Sequence, residues 1–173
     1  SDGSSADYPA YYSKAQGRLA REQRRLSRCE KGSRNYGKQK KRVARCHEKV
    51  RNQRKDFHHK LSRKIADAYD VVAVESLDMK EMSQTMNFGK KVMDNGYGMF
   101  LTILGYKLEE QGKQLIKVDK YYPSSKRCSV CGIIKADLTL ADRVYVCRCG
   151  NVMDRDVNAA INIRDEAYRQ ITA

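Results

Sequence analysis

The chain has 173 residues, with 35 Lys and Arg against 21 Asp and Glu, so its formal charge at pH 7 is +14. This length permits one domain, or one domain with a small module, and a hydrophobic content of 40% excludes disorder throughout. The sequence has no run of 18 apolar residues and starts without a basic or apolar region, so we expect neither a membrane span nor a signal peptide. These features predict a prokaryotic cytoplasmic protein with an anionic partner.

The positive charge is concentrated in one segment. Residues 14–64 contain 20 Lys and Arg but 4 Asp and Glu, a local charge of +16 that leaves −2 for the rest of the chain. This concentration favours a nucleic-acid partner, because each neutralised phosphate releases condensed counterions. The alternative is a solvated, charged helix surface without a partner.

Two helices are predicted within this basic segment. The first extends from Ser13, a candidate N-cap, to about Arg28. After a turn at residues 31–35, the second extends from Gly37 to Ala68. Its apolar residues, mostly three or four apart, are Val43, Cys46 or His47, Val50, Phe57, Leu61, Ile65 and Ala68. We expect a basic antiparallel hairpin over residues 13–69.

A strand–helix–strand unit follows, which indicates an α/β core. Residues 70–75 form a β-branched run with little alternation, so we expect a strand buried on both faces that ends at Glu75. Residues 76–95 are loop-like, a helix is predicted over 97–111, and a second strand over 114–118. The inward residues of this helix are predicted to be Met99, Phe100, Ile103, Leu104 and Leu108. A final helix is predicted over 157–170.

Four of the six cysteines form two close pairs on either side of a 15-residue gap. The pairs are Cys128 with Cys131 and Cys147 with Cys149, and a glycine follows each pair. This spacing predicts a zinc ribbon with a tetrahedral, structural Zn²⁺ site. A disulfide framework is the competing interpretation, but nothing suggests an oxidising compartment. We interpret Cys29, Cys46, His47, His58 and His59 as packing or surface residues.

Two carboxylates are candidate magnesium ligands. Glu75 ends the first strand and Asp156 lies at the start of the last helix, positions that can converge at one edge of an α/β sheet. Two Mg²⁺ ions held by carboxylates can cleave a phosphodiester, although this chemistry needs a third acid. Other interpretations remain open: Asp154 or Asp156 is a helix N-cap, and Glu75 or Asp78 is a solvated charge.

Three segments resemble the insertion-sequence OrfB (TnpB) family of transposon-encoded proteins, relatives of the type V CRISPR effector nucleases. These are VAVESLDMK at 72–80, YYPSSKRCSVCG at 121–132 and CRCGNVMDRDVNAAINI at 147–163. The basic stretches at 18–28 and 38–62 are also similar to that family, and the resemblance spans residues 1–168. It implies a RuvC-like, RNase H-type fold with a zinc ribbon inserted before the last helix. It also implies an RNA-guided, Mg²⁺-dependent DNA endonuclease, a type of protein often described as a transposase.

The resemblance assigns roles to individual residues. Glu75 matches the family's second catalytic acid and Asp156 the third, both as Mg²⁺ ligands. The four paired cysteines match the zinc ligands of the ribbon that binds target nucleic acid. The basic residues expected to hold the nucleic-acid backbone are Arg21, Arg24, Arg25, Arg28, Lys38, Lys40, Lys41, Arg42, Arg45, Lys126 and Arg127.

The family's first catalytic Asp lies on a strand just before a segment like residues 1–12, and Asp2 and Asp7 are poor substitutes for it. We therefore expect a C-terminal fragment that is inactive alone, with a core incomplete at its N-terminus and without the family's N-terminal guide-RNA and target-binding domains. The expected divisions are a RuvC-like core part at 1–125, the ribbon at 126–150 and a final RuvC-like segment at 151–173. A missing central strand would leave exposed sheet edges, through which the chain could self-associate.

Two rival functions remain at this point. One is a non-catalytic, zinc-stabilised nucleic-acid-binding module, which needs only the ribbon and the basic hairpin. The other is a zinc ribbon protein of translation or transcription without nuclease ancestry. The expected partners of the leading hypothesis are DNA and, in the complete protein, a guide RNA, with action at the nucleoid.

Overall fold

The structure is a computed structural model that describes residues 2–78, 94–139 and 141–172. Most of the predicted loop at 76–95 therefore lies outside the described residues. The elements in chain order are α1 (Tyr11–Ser27), α2 (Arg34–Ala68), β1 (Val71–Glu75), α3 (Tyr97–Glu110), β2 (Gln114–Val118), β3 (Val144–Val146), β4 (Val152–Asp154) and α4 (Arg155–Thr172). The predicted order of the four helices and of β1 and β2 is confirmed, whereas β3 and β4 were not predicted. No helix among the described residues is both long and apolar enough to cross a membrane.

The described chain divides into two compact units. One, here called the hairpin unit, comprises residues 7–68 and 94–107. The other, here called the ribbon unit, comprises residues 2–6, 69–78 and 108–172, with residue 140 outside the description. The boundary between them falls within α3, so this helix contributes buried residues to both: Ile103 and Leu104 to the hairpin unit, and Leu108 to the ribbon unit.

The hairpin unit has a partly polar core. Leu19 of α1 and Val50 of α2 are buried, but α2 also buries His58, Ser62 and Ala66. The prediction that Ala68 lies on the buried face is wrong, because the buried face of α2 passes through Ala66 in its last turn. An apolar pattern does not reveal buried polar residues, which are tolerated when they have hydrogen-bond partners.

Those partners are present at the end of α2. The Oγ of Ser62 donates to the carbonyl oxygen of His59 and accepts a 2.9 Å hydrogen bond from the Nζ of Lys107. Lys107 is itself buried, and its ammonium group also donates to the carbonyl of His59 at 2.6 Å. Burying an ammonium group costs free energy, and here hydrogen bonds to two oxygen acceptors offset that cost. The contacts join the end of α2 to α3 within the hairpin unit.

The N-terminus of α1 is capped from a distant part of the chain. The prediction that Ser13 is the N-cap is wrong: the cap position is Ala10, whose φ is 50° and whose side chain makes no capping bond. The buried carboxylate of Asp94 instead accepts hydrogen bonds from the amides of Tyr12 and Ser13. Asp94 also forms a 3.1 Å ion pair with Arg54 of α2. A helix N-terminus attracts negative charge, and here a remote acid supplies it.

The ribbon unit contains two small sheets. β1 and β2 pair in parallel with Val71 opposite Gln114 and Glu75 opposite Val118, and α4 packs against both strands. β1 was expected to be buried on both faces, but it is only half-buried and Val71 is 43% exposed. In the described residues this sheet has two strands, so each strand has a neighbour on one side only.

The interior of α3 is largely as predicted, because Ile103, Leu104 and Leu108 are buried. Met99 is 38% exposed, so its predicted inward position is wrong. It lies in the first turn of α3, which begins at Tyr97. The second sheet is the antiparallel pair β3–β4, in which Tyr145 lies opposite Met153.

Candidate metal centre and nucleic-acid interface

The four paired cysteines converge on one point. The Sγ atoms of Cys128 and Cys149 are 3.7 Å apart, and those of Cys131 and Cys147 are 3.6 Å apart. All four sulfurs lie within 4.8 Å of one another. A tetrahedral Zn²⁺ with Zn–S bonds of about 2.3 Å requires sulfur–sulfur distances of about 3.8 Å. The cluster could therefore hold a metal such as zinc.

These distances also decide against the disulfide framework. A disulfide joins its sulfurs at about 2.05 Å, much closer than the 3.6 and 3.7 Å separations in the cluster. All six cysteines are free thiols, and Cys29 and Cys46 lie on or beside the basic helices, far along the chain from the cluster. Among the described residues the metal-binding group consists of the four cysteines, while His58 is buried and His47 is exposed.

The local backbone favours a thiolate at Cys128. Burial raises the pKa of this thiol, but hydrogen bonds to its sulfur from the amides of Cys131 and Val130 and from side chains including Asn151 together outweigh burial, so that the pKa falls to about 6. The side-chain amide of Asn151 adds a 3.5 Å contact to the same sulfur. Thiolates are the form that binds zinc, and outer hydrogen bonds to sulfur orient the ligand. The backbone around Cys128 therefore favours the form of this thiol that binds a metal cation.

A small core supports the cluster from one side. Buried Tyr145 packs with Leu138, Cys128 and Cys147, and its hydroxyl donates to the carbonyl oxygen of Lys126 at 3.1 Å. Gly132, directly after the first pair, has φ 75°, a left-handed conformation. A side chain there would also meet the Nη2 of Arg127 at 3.2 Å. Glycine is needed at this turn because of the left-handed backbone, since the flexible end of Arg127 could move away from a side chain.

Two asparagines of α4 attach the ribbon to the helix that carries Asp156. Asn158 is fully buried, and its Oδ1 accepts a 3.0 Å hydrogen bond from the amide of Ser129, next to Cys128. The side-chain amide of Asn162 donates to the carbonyl oxygen of Ser124 at 2.8 Å. Neither residue was predicted from the sequence. The available signal was the spacing of four residues, which places two poor helix formers on the same face of α4.

Asp154 and Asp156 have different local tasks. The Oδ1 of Asp154 accepts hydrogen bonds from the amides of Asp156 at 2.8 Å and Val157 at 3.0 Å, so Asp154 is the N-terminal cap of α4. The carboxylate of Asp156 is 75% exposed and lies 3.2 Å from the guanidinium of Arg155. Of the two capping alternatives, Asp154 is therefore the one observed, and the carboxylate of Asp156 remains accessible.

Glu75 is the last residue of β1 and is half-buried beside its parallel neighbour Val118. Burial raises the pKa of its carboxyl group above the ordinary value. It is therefore not the solvated strand-end charge of the alternative interpretation. Asp78, the other acid considered, is exposed. A carboxylate whose ionised form is disfavoured by burial gains from a nearby cation, which restores favourable electrostatics.

The predicted phosphate-binding residues are divided between the units. The nine on α1, α2 and the turn between them are all exposed, namely Arg21, Arg24, Arg25, Arg28, Lys38, Lys40, Lys41, Arg42 and Arg45. In the ribbon, Lys126 is exposed and its ammonium donates to the carbonyl oxygen of Ala136, whereas Arg127 is half-buried. Exposed cations along two neighbouring helices are suited to a polyanion.

Comparison with known families gives two matches that together cover most of the chain. Residues 1–86 match the family described as "Probable transposase", of the OrfB type, and residues 97–163 match the family described as "Cas12f1-like, TNB domain". A Streptomyces pristinaespiralis protein named "Putative RNA-guided DNA endonuclease" is 36% identical over 163 residues, covering 94% of this chain and 40% of that protein. The chain spans less than half the length of such curated relatives.

Two further comparisons concern Cas12f1 proteins. The CRISPR-associated endodeoxyribonuclease Cas12f1 of Sulfoacidibacillus thermotolerans is 32% identical over 117 residues, covering 66% of this chain and 27% of that protein. A chain in a cryo-EM structure of a Cas12f1–sgRNA–target DNA complex superimposes with a TM-score of 0.61 at 22% identity, covering 87% of this chain and 41% of that chain. At this level of identity the superposition supports a shared mixed helix–strand fold.

Proposed function

Because the chain belongs to the OrfB (TnpB) family of transposon-encoded proteins, we propose that it supplies the RuvC-like core and zinc ribbon of an RNA-guided DNA endonuclease. In this proposal residues 1–125 and 151–173 form parts of an RNase H-like core, and residues 126–150 form the ribbon. The parallel β1–β2 pair, against which α4 packs, supports this arrangement.

Glu75 and Asp156 are the proposed ligands of catalytic Mg²⁺. Bound Mg²⁺ would activate water and stabilise the leaving oxygen of a cleaved phosphodiester. The observation that carries this assignment is that Asp154 and Asp156, at the start of α4, have different roles. Asp154 caps the helix, which leaves the exposed carboxylate of Asp156 for a cation or a substrate. The half-buried carboxyl of Glu75 is the second ligand.

The nuclease centre also needs a third acid. No group of three or more carboxylates or histidines that could share an ion occurs in residues 2–78, 94–139 and 141–172. We therefore propose that this chain alone cleaves DNA weakly or not at all with Mg²⁺. Robust cleavage that disappears in Asp156→Ala would contradict this expectation.

Metal binding can be tested without cleavage. Fe²⁺ substituted for Mg²⁺ generates radicals that cut the polypeptide near the metal, and mass spectrometry locates the cuts. We expect cuts near residues 75 and 156, suppressed by excess Mg²⁺ and lost in the double variant Glu75→Gln, Asp156→Asn. The matched control is Asp67→Asn, because Asp67 is an exposed acid of α2 in the other unit. Cuts that persist in the double variant would refute the assignment.

The zinc ribbon and the basic hairpin are proposed to bind nucleic acid: target DNA at the ribbon, and the phosphate backbone of DNA or guide RNA at the hairpin. The exposure of all nine hairpin cations supports this role. Binding should weaken steeply as salt rises, because phosphate contacts release counterions.

A non-catalytic binding module is the second candidate function, and the same exposed cations favour it. The binding module differs from the nuclease in one measurable respect, because the module needs no magnesium. Salt-sensitive binding together with the absence of Fe²⁺ cuts near residues 75 and 156 would favour the module over the nuclease.

Self-association and action at the nucleoid complete the proposal. Residues of the ribbon and of α4 leave apolar side chains exposed, including Val130 at 71%, Val152 at 63% and Tyr168 at 68%. Such surfaces and unpaired strand edges promote association between copies. Sedimentation at increasing protein concentration tests self-association, and a constant monomer mass would exclude it.

A further inference from the structure

A groove lies between α1 and α2, within the hairpin unit. It has a volume of about 830 Å³. Its α1 wall includes Tyr11, Lys14 and Arg18, which are spaced three or four residues apart and so share one helical face. Arg45 and Lys49 of α2 stand on the opposite wall with the same spacing.

The two walls carry like charges. Five cations line the groove, namely Lys14, Arg18, Arg42, Arg45 and Lys49, against one acid, Glu22. Glu22 is already engaged, because its carboxylate accepts a 2.6 Å hydrogen bond from Gln39 and pairs with Arg25 at 3.3 Å. Facing helices usually bury apolar or complementary side chains, so five facing cations repel each other unless an anion lies between them.

Glu22 compensates part of the charge of the groove: after the hydrogen bond from Gln39, the nearby Arg25, Arg42 and Arg18 lower the pKa of its carboxyl group. Within the described residues, no ion pair joins Lys14, Arg18, Arg45 or Lys49 to an acid. Other cations of the hairpin unit are paired in this way: Arg54 with Asp94, Lys60 with Asp56, and Arg63 with Asp67. One carboxylate does not balance five cations, so the groove keeps a net positive charge that favours an anionic ligand.

We propose that this groove binds a single strand of nucleic acid through its phosphates, an inference that rests on the nucleic-acid-binding function proposed above. A duplex is read by a convex element that enters its major groove, about 12 Å wide. A single strand instead follows a concave, positively charged channel and packs its bases on aromatic side chains. The aromatic side chain of the groove wall is Tyr11, which is half-buried with its ring in T-shaped contact with Tyr8 and Phe57.

The groove is separate from most of the basic surface predicted from the sequence. Of the nine hairpin cations expected to bind phosphates, only Arg42 and Arg45 line it. Lys14, Arg18 and Lys49 were not among the predicted residues. Arg24 and Arg28 near the turn belong to the surface outside the groove.

Binding measurements test the groove directly. We expect the variant Arg18→Gln, Arg45→Gln to bind a fluorescent oligothymidylate at least about tenfold more weakly than the unaltered chain at about 50 mM salt. The slope of log K against log salt should fall by about 1.4, since two phosphate contacts are lost at about 0.7 each. The matched control is Arg51→Gln, Lys64→Gln, which removes the same charge from exposed positions of α2 outside the groove. The control should bind within about twofold of the unaltered chain.

A second test uses the unaltered, zinc-loaded chain and needs no variant to fold. Cys46 lines the groove, whereas Cys29 does not, and both are half-buried. A saturating oligothymidylate should slow alkylation of Cys46 by iodoacetamide at least about threefold while leaving Cys29 unchanged. Mass spectrometry reads both rates in one sample.

The outcomes separate the groove from the wider function. The proposal for the groove would be overturned if the oligothymidylate bound without slowing alkylation of Cys46 and also bound normally to the variant Arg18→Gln, Arg45→Gln. Nucleic-acid binding by the chain would still stand in that case. A duplex that protects Cys46 as well as the single strand does would overturn the single-strand assignment. Absence of binding to any nucleic acid at about 50 mM salt would overturn both the groove and the proposed function.

Discussion

The side chains of Asn158 and Asn162 donate to the same acceptor, the main-chain carbonyl oxygen of Arg127, each at 2.7 Å. Both asparagines are buried and lie one turn apart on α4. Arg127 immediately precedes the first zinc-type cysteine, Cys128. The residue directly before the cysteine cluster is therefore held to α4 by side-chain hydrogen bonds.

A second tie reaches the start of the same helix. The amide of Arg155 donates to the carbonyl oxygen of Arg143 at 2.8 Å, and its guanidinium donates to that of Thr139. Asp156 follows directly. The position of this proposed magnesium ligand thus depends on a segment whose own fold depends on the cysteine cluster.

Metal removal should loosen α4 as well as the ribbon. Chelation leaves four close thiols without a cation, and metal binding is coupled to folding in ribbons of this kind. We expect faster amide exchange over 126–150 and, through the asparagine contacts, over 155–162. Hydrogen–deuterium exchange with and without a chelator measures both regions. Residues 40–50 of α2 serve as the internal control, and unchanged protection at 126–150 would contradict the zinc assignment.

Loss of the asparagine contacts should destabilise the ribbon unit. Asn158→Leu leaves the partly buried amide of Ser129 without its acceptor, so we expect a cost of about 2 kcal/mol in the free energy of unfolding. Urea unfolding of the zinc-loaded protein measures it. Gln170→Leu, an exposed change on the same helix, should alter stability by less than about 0.5 kcal/mol. Equal stabilities of the two variants would show that the contacts carry no free energy.

The sequence was sufficient for the four helices, for β1 and β2 and for the four cysteines, because those signals are local, whereas the short strands β3 and β4 were not predicted. Periodicity identified β2 at its observed bounds, and the spacing of the cysteine pairs predicted a cluster that the structure brings together. The positions of Glu75 and Asp156 at a strand end and a helix start were also correct. Their joint role in metal binding stays a prediction.

The cap of α1 and the groove between α1 and α2 could not be predicted, because they depend on contacts between residues that are distant in the sequence. Ser13 has the right chemistry for an N-cap, but Asp94, about 80 residues further along the chain, provides the cap instead. The groove between α1 and α2 likewise follows from which faces of two basic helices oppose each other. Hydrophobic periodicity does not determine this when most of the residues are charged.

Separate substitutions should distinguish capping from metal binding at the start of α4. Asp154→Ala removes the acceptor of two backbone amides, so we expect a loss of about 1 kcal/mol in stability. Asp156→Ala removes an exposed ion pair and a favourable helix-dipole contribution, together about 0.5 kcal/mol. Thermal unfolding and Fe²⁺ cutting measure the two roles. A larger stability loss for Asp156→Ala than for Asp154→Ala would reverse the assignment of the cap.

Removal of the charge at Glu75 should stabilise the magnesium-free protein near neutral pH. Burial raises the pKa of Glu75 above 4.5, so ionising the group costs more in the folded than in the unfolded state. The stability contributed by its protonated form is complete below the unfolded-state pKa and is lost as pH rises through the folded-state pKa. Glu75→Gln should therefore unfold at higher urea concentration than the unaltered chain at about pH 8, and this advantage should shrink towards about pH 5.5.

Magnesium should oppose that advantage, because a cation beside Glu75 favours its ionised form. Added Mg²⁺ is expected to raise the stability of the unaltered chain and to leave Glu75→Gln unchanged. Glu110→Gln, an exposed change near the end of α3, controls for the loss of one negative charge. An advantage of Glu75→Gln that grows as pH falls would show that the carboxylate is stabilised in the fold, contrary to the effect of burial.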